Sequence, residues 1–353
     1  LIIALMAVGS FAHAQQTDAP ENEAWVKEYL KHLRHEKWRP ATNMEGVNLQ
    51  GRDQVTHSKT AGSGEIKLTG NNTSDEAEPF IMVNPNDSMN LVASFMDFTG
   101  GALVFPIYYT MDGGQTWNLS NFNTVDSLTT WYPGRTIGGG GDPVFAFDNN
   151  GRLYFSWIYL SQDPNQSEDP FDMFWAWSDD KGQSWHVADS SKRRIGNGSL
   201  GFGGLSIGND GDGIFDRQWF AVDNSGGAND GNLYCSYLFV PNQNTSLPGD
   251  GMCVRRMQAG ALEWDSLHVK VSQSSSVQFS NIAVDGNGNV HVSFGTTTQG
   301  GTAETVKHVR STDGGSTWST PVTVANINYP RPLFTWNVHS RENAAPNMAV
   351  DPG

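Results

Sequence analysis

Positive charge is scarce in this sequence: 22 Lys and Arg stand against 37 Asp and Glu, for a formal net charge of −15. Nucleic acids and anionic membranes are gripped through clustered positive charge, so neither is expected as a partner. Cysteine is nearly absent, with Cys235 and Cys253 as the whole complement. The nine His show no ligand spacing with them, which leaves no zinc site to read. Past the first residues no apolar run is long enough to cross a bilayer as a helix, so an integral membrane protein is not expected. The glycine run Gly138 to Gly141 lacks the Lys and helix of a phosphate loop, and no nucleophile elbow occurs.

What is plentiful is glycine, 39 residues, and tryptophan, 12, in a chain with only 17% charged residues. That composition suits many short strands joined by tight turns and does not suit a helical bundle. An eight-residue pattern, [ST]-x-D-x-G-x-[ST]-W, occurs at Thr110 to Trp117, Ser178 to Trp185 and Ser311 to Trp318. Asp180 lies 68 residues after Asp112, and Asp313 lies close to two such steps further on. A second marker, an apolar run ending in an acid or amide, ends at Asn84, Asp148, Asp223, Asp285 and Asp351, a mean step of about 67 residues. Each period reads strand, tight turn, strand, loop, strand, motif turn, strand, which is the content of one propeller blade. The third period has lost the motif but keeps Trp264, and an inserted Gly-rich segment, Gly196 to Gly213, makes it longer.

The motif has a structural explanation. Its Asp (Asp112, Asp180, Asp313) can accept hydrogen bonds from its own turn, its Gly supplies a left-handed conformation, and its Trp (Trp117, Trp185, Trp318) offers an apolar plate between neighbouring blades.

At the N-terminus, Leu1 to Val8 is apolar and Ala12-His13-Ala14 follows, the core and cleavage site of a signal peptide without its charged start. The expected organisation is a signal-peptide remnant over 1–14, a helix (Glu21 to Trp38) and linker over 15–64, and a propeller over 65–353. The mature protein is therefore expected to be secreted, periplasmic or at the cell surface. Export permits disulfides. A symmetric hairpin centred near residue 244 would set Cys235 opposite Cys253, and two buried free thiols are the alternative.

The repeated motif resembles the Asp-box, or BNR repeat, of the sialidase superfamily, and the likeness covers Glu78 to the C-terminus through three intact boxes and one degraded one. The resemblance implies an all-β propeller, commonly six-bladed, with the boxes on the face opposite the active site. Six blades of about 67 residues exceed what the chain holds from Glu78 onward, so one or two blades are expected beyond its fifth period. Where sialidases carry an arginine in an Arg-Ile-Pro segment, this chain reads Glu78-Pro79-Phe80-Ile81, so the catalytic set of that family is not carried over.

Candidate chemistry sits where the innermost strands begin: Glu76 and Glu78, Asp142, Asp216 and Arg217, Ser280 and Asn281, Arg341 and Glu342. Asp142 and Asp216 are the candidate acids for glycoside hydrolysis. Arg135, Arg217, Arg331 and Arg341 are candidates for holding a substrate carboxylate, with Trp131 and Tyr132 as faces for a sugar ring. Aromatic packing that stiffens a long loop is the competing explanation for the last two. Asp210, Asp212 and Asp216 alternate through a Gly-rich turn, a pattern that can wrap a structural calcium or simply form an exposed acidic turn. No cofactor is otherwise required. The expectation is an exported propeller that binds or cleaves glycans, with a non-catalytic recognition or scaffold propeller as the alternative.

Overall fold

The computed structural model describes residues 68, 76–98, 103–201, 206–265, 267–274, 277–297, 303–327 and 347–350. The expected signal peptide, the helix at Glu21 to Trp38 and its linker lie outside the described residues, as do Arg331 and Arg341. Sixteen strands and one helix are described, and the strands form four antiparallel sheets of four, each a meander of consecutive strands. This is the blade unit of an all-β propeller. The first blade is β1 (Glu76–Asn84), β2 (Asp87–Asp97), β3 (Ile107–Thr110) and β4 (Asn118–Leu119). After helix α1 (Thr124–Trp131) comes the second, β5 (Thr136–Phe147), β6 (Leu153–Gln162), β7 (Asp169–Ser178) and β8 (Arg194–Leu200). The third is β9 (Gly213–Val222), β10 (Leu233–Pro241), β11 (Gly251–Met257) and β12 (His268–Lys270). The fourth is β13 (Val277–Val284), β14 (Val290–Thr297), β15 (Ala303–Ser311) and β16 (Val322–Asn326).

The chain divides into two compact units, with the boundary after Ile195 inside β8. In the first unit, aromatic side chains of the second blade form a buried row. Phe145, Phe155, Trp157 and Phe174 stack in series with centroids 4.8, 5.0 and 5.6 Å apart. Each such buried side chain contributes about 1.5–3 kcal/mol relative to exposure. Gly140 sits where β5 comes so near β6 that a Cβ would lie 1.9 Å from the Ile158 carbonyl oxygen, which accounts for the glycine run. In the second unit Phe215 packs on Phe239 and Tyr237 at 4.8 and 5.4 Å.

Both sequence markers turn out to be turn devices. Asp148 accepts from the amides of Asn150 and Arg152, and Asp285 from those of Asn287 and Asn289, closing the turn after the first strand. In the eight-residue motif Asp112 accepts from the Thr116 amide at 2.8 Å and hydroxyl at 2.6 Å and from the Thr110 hydroxyl at 2.7 Å. Asp180 repeats this with Ser184 and Ser178, and Asp313 with Thr317 and Ser311. These bonds, the Thr116 hydroxyl foremost, lower the Asp112 pKa to about 2. Trp117 is buried against Ala93, Phe95 and Tyr108. Trp185 packs on Phe122 and donates to the Ser120 hydroxyl, both in the segment leaving the first blade. Trp318 donates to the Gly315 carbonyl within its own turn. Trp264, without a motif around it, still stacks on Phe220 at 5.7 Å.

Three expectations change. The start of the expected insertion, residues 196–200, belongs to β8, the outermost strand of the second blade. Trp131, expected on a long loop with Tyr132, is instead the last residue of helix α1, which the Asn123 side chain caps on the amides of Val125 and Asp126. Cys235 and Cys253 are buried free thiols. The β10–β11 register centres one residue later than expected, so Cys235 faces Arg255 and Cys253 faces Tyr237.

Candidate functional site

One irregularity recurs in the first strand of each of the four described blades. Two residues of that strand oppose one residue of the second strand at Glu78-Pro79, Asp142-Pro143, Arg217-Gln218 and Phe279-Ser280, a β-bulge each time. The first residue of each pair has a left-handed backbone, with φ of 54°, 56°, 57° and 58°. Each stands six residues before its turn marker, at Asn84, Asp148, Asp223 or Asp285. The single residues opposite are Phe95, Trp157, Tyr237 and Phe294, all buried. Left-handed backbone costs a non-glycine residue about 1–2 kcal/mol. Strain of this sort persists where surrounding structure over-determines it, and it clusters at functional sites, where a bulge re-aims a side chain.

Six residues of strand separate the bulge from the marker turn, about 20 Å. The eight-residue motif shares the marker's end of the blade, since Phe147 pairs with Leu153 and Leu153 with Ser178. Within a blade, then, bulge and box lie at opposite ends.

In the first unit β1 packs beside β5, and the Asp142 amide donates to the Glu78 carboxylate at 3.0 Å. Asp142 is buried and Glu78 half-buried. In the second unit β9 packs beside β13, and the Arg217 guanidinium lies over the Phe279 ring at 5.4 Å. Asn281, with its amide turned to satisfy both neighbours, accepts from Trp219 Nε1 and donates to the Met348 carbonyl, each at 3.2 Å. Asp216 is buried on β9 opposite Leu238, directly before the bulged Arg217.

The remaining candidates sit elsewhere. Arg135 is buried in an ion-pair group: its Nη1 lies 3.0 Å from Asp172 Oδ2, its Nε 3.4 Å from Asp163, and its guanidinium 4.1 Å from the centre of the Tyr132 ring. Trp131 packs on Phe174 at 5.4 Å and under Arg193 at 4.6 Å. Asp210, Asp212 and Asp216 do not converge. The Asp212 carboxylate accepts from the Thr245 hydroxyl, the Asp210 amide and carbonyl bond the Ser199 hydroxyl, and Asp216 lies inside its strand. Among the described residues no three His, Cys, Asp or Glu are grouped to hold a metal.

Phe279 was not singled out from the sequence, although its spacing of six from Asp285 was available as a signal. Arg193 was also passed over, because the strand it precedes was read as an insertion.

No family profile matches the sequence, and no curated protein does. Among solved structures, a protein of unknown function from Dyadobacter fermentans is similar at 15% identity and TM-score 0.46, covering 73% of this chain and 71% of that one. Penicillium chrysogenum α-L-arabinanase complexed with arabinobiose is similar at 18% identity and TM-score 0.46, covering 70% and 66%. A leech intramolecular trans-sialidase is similar at 12% identity and TM-score 0.46, covering 72% and 51%. The chain thus spans under two thirds of the length of both enzymes.

Proposed function

We propose that the protein recognises glycans through the bulged residues of its inner strands. The observation that carries this reading is the recurrence of a strained, left-handed, non-glycine residue at one position in all four blades. The motif turns take the same conformation with glycine at Gly113 and Gly314 and with Lys181 in the second motif. Here the positions hold Glu78, Asp142, Arg217 and Phe279 instead, side chains that hydrogen-bond sugar hydroxyls, pair with acidic groups or stack on a sugar face. The finer reading is hydrolysis of acidic sugars by an exported enzyme. Each unit then carries its own candidate acid, Asp142 in the first and Asp216 in the second, protonated beside the scissile bond. Arg217 binds the substrate carboxylate.

A non-catalytic recognition propeller is the second reading. It is favoured by the Glu78 carboxylate accepting the Asp142 amide, a bond that spends a bulge carboxylate on holding the neighbouring strand. A glycan array and a fluorogenic-glycoside panel on the same preparation separate the two. Turnover abolished by Asp142→Asn supports the enzyme, and binding without turnover supports the recognition module. Neither binding nor turnover on any glycan contradicts both.

A further inference from the structure

We propose that Arg193, set over the Trp131 ring, forms an outer subsite for the carboxylate of an acidic sugar, distinct from the bulges; the inference rests on the glycan reading above. Lys192, Arg193 and Arg194 place three cations in succession in a chain of net charge −15. Asp172, buried beneath them, is used up: its Oδ1 pairs with Arg194 Nη1 at 2.9 Å and its Oδ2 with Arg135 Nη1 at 3.0 Å. Arg193 is left over. Among the described residues no carboxylate is within ion-pair distance of it, and its Nε lies buried without a hydrogen-bond partner. A buried donor without a partner costs about 1–3 kcal/mol, which calls for an explanation. Burial, with the positive charge of Arg194, lowers the Arg193 pKa, and Tyr132 and Asp189 only partly offset this.

The aromatics serve the arginines here. Trp131 has Arg193 over its ring at 4.6 Å and Phe174 packed near it at 5.4 Å, so it is a platform, with little free face for a sugar. With Nε buried, the two Nη groups of Arg193 are the donors that can meet a carboxylate by two hydrogen bonds. The place also fits an extended ligand. Asp172 shares a cross-strand row with Tyr159 and Gly140, two residues from Asp142. Two strand spacings separate β7 from β5, so this cluster lies about 10 Å outward from the bulge at the same end of the blade, a span of two sugar units.

The test is calorimetric titration of the full chain with sodium glucuronate, sodium sulfate and glucose at fixed ionic strength. Glucuronate is expected to bind, glucose not, with Arg193→Gln weakening glucuronate about tenfold and Arg193→Lys, which keeps the charge but loses the fork, weakening it less. Unchanged glucuronate affinity in Arg193→Gln overturns the proposal, as does an absence of glucuronate binding by the unaltered chain. Sulfate binding as tightly as glucuronate assigns the site to inorganic anions and overturns the sugar. If glucuronate binds through Arg193 while no oligosaccharide binds at all, the glycan reading falls and the subsite stands. If neutral glycans bind and are lost in Asp142→Asn while Arg193→Gln changes nothing, the subsite falls alone.

Discussion

The backbone N–H of Asp142 donates to the Glu78 carboxylate at 3.0 Å, tying two consecutive inner strands together at the same strained position. The bond uses the Asp142 main chain, so replacing the side chain leaves this donor in place. With φ at 56°, replacement by glycine relieves about 1 kcal/mol of strain, and a β-branched residue adds to it. Both variants lose the Asp142 side chain, so Asp142→Val is expected to be less stable than Asp142→Gly by at least about 1 kcal/mol. Denaturant melts check the order; equal stabilities contradict a left-handed backbone there.

The motif carboxylates are turn anchors. Asp180 accepts from the Ser184 amide at 2.8 Å and from the Ser178 hydroxyl at 2.8 Å, with the Ser184 hydroxyl on its other oxygen. Asp180→Ala is expected to cost about 1–3 kcal/mol of stability and to leave ligand affinity unchanged, since the box lies at the far end of the blade. Thermal unfolding and a binding isotherm on the same variant decide it.

His268 gives the protein a pH dependence of predictable sign. Burial, with the nearby Arg255 charge second, lowers its pKa to about 4, and its Nδ1 meets the Tyr237 hydroxyl at 2.8 Å. The folded pKa lies below the unfolded one, about 6.5, so this contribution is fully present above pH 6.5 and is lost as pH falls toward 4. The drop across that window is on the order of 3 kcal/mol for this group. Stability measured by denaturant from pH 7 to 4 should show the slope, and His268→Gln should flatten it.

Both cysteines are buried and free, and burial raises both thiol pKa values. A thiol reagent added without reductant should label neither in the native protein and both after unfolding. No labelling after unfolding would mean that the two are bridged.

Much of the fold could be read in advance because it repeats. The turn markers and the boxes recur with the period, and each does locally what its chemistry requires, an Asp closing its own turn. The bulges were half legible. Glu78, Asp142 and Arg217 were picked out as charged residues where inner strands begin, but the shared left-handed backbone that unites them with Phe279 leaves no composition signal. Arg135 looked available for a ligand because its partners, Asp163 and Asp172, lie 28 and 37 residues away, and only strand pairing brings them to it. The cysteine register failed by one residue, which in a hairpin is enough to separate two side chains that a symmetric turn would have joined. Helix α1, at 8 residues, is too short to show a period.

The central claim is that the strained bulges, not the boxes, carry recognition. Affinity for the tightest-binding glycan of the array, measured side by side for Asp142→Asn, Arg217→Gln and Asp180→Ala, tests it most directly. The account predicts a loss of tenfold or more in the first two and none in the third, in proteins that remain folded. Retained affinity in both bulge variants, or a loss confined to Asp180→Ala, would contradict it.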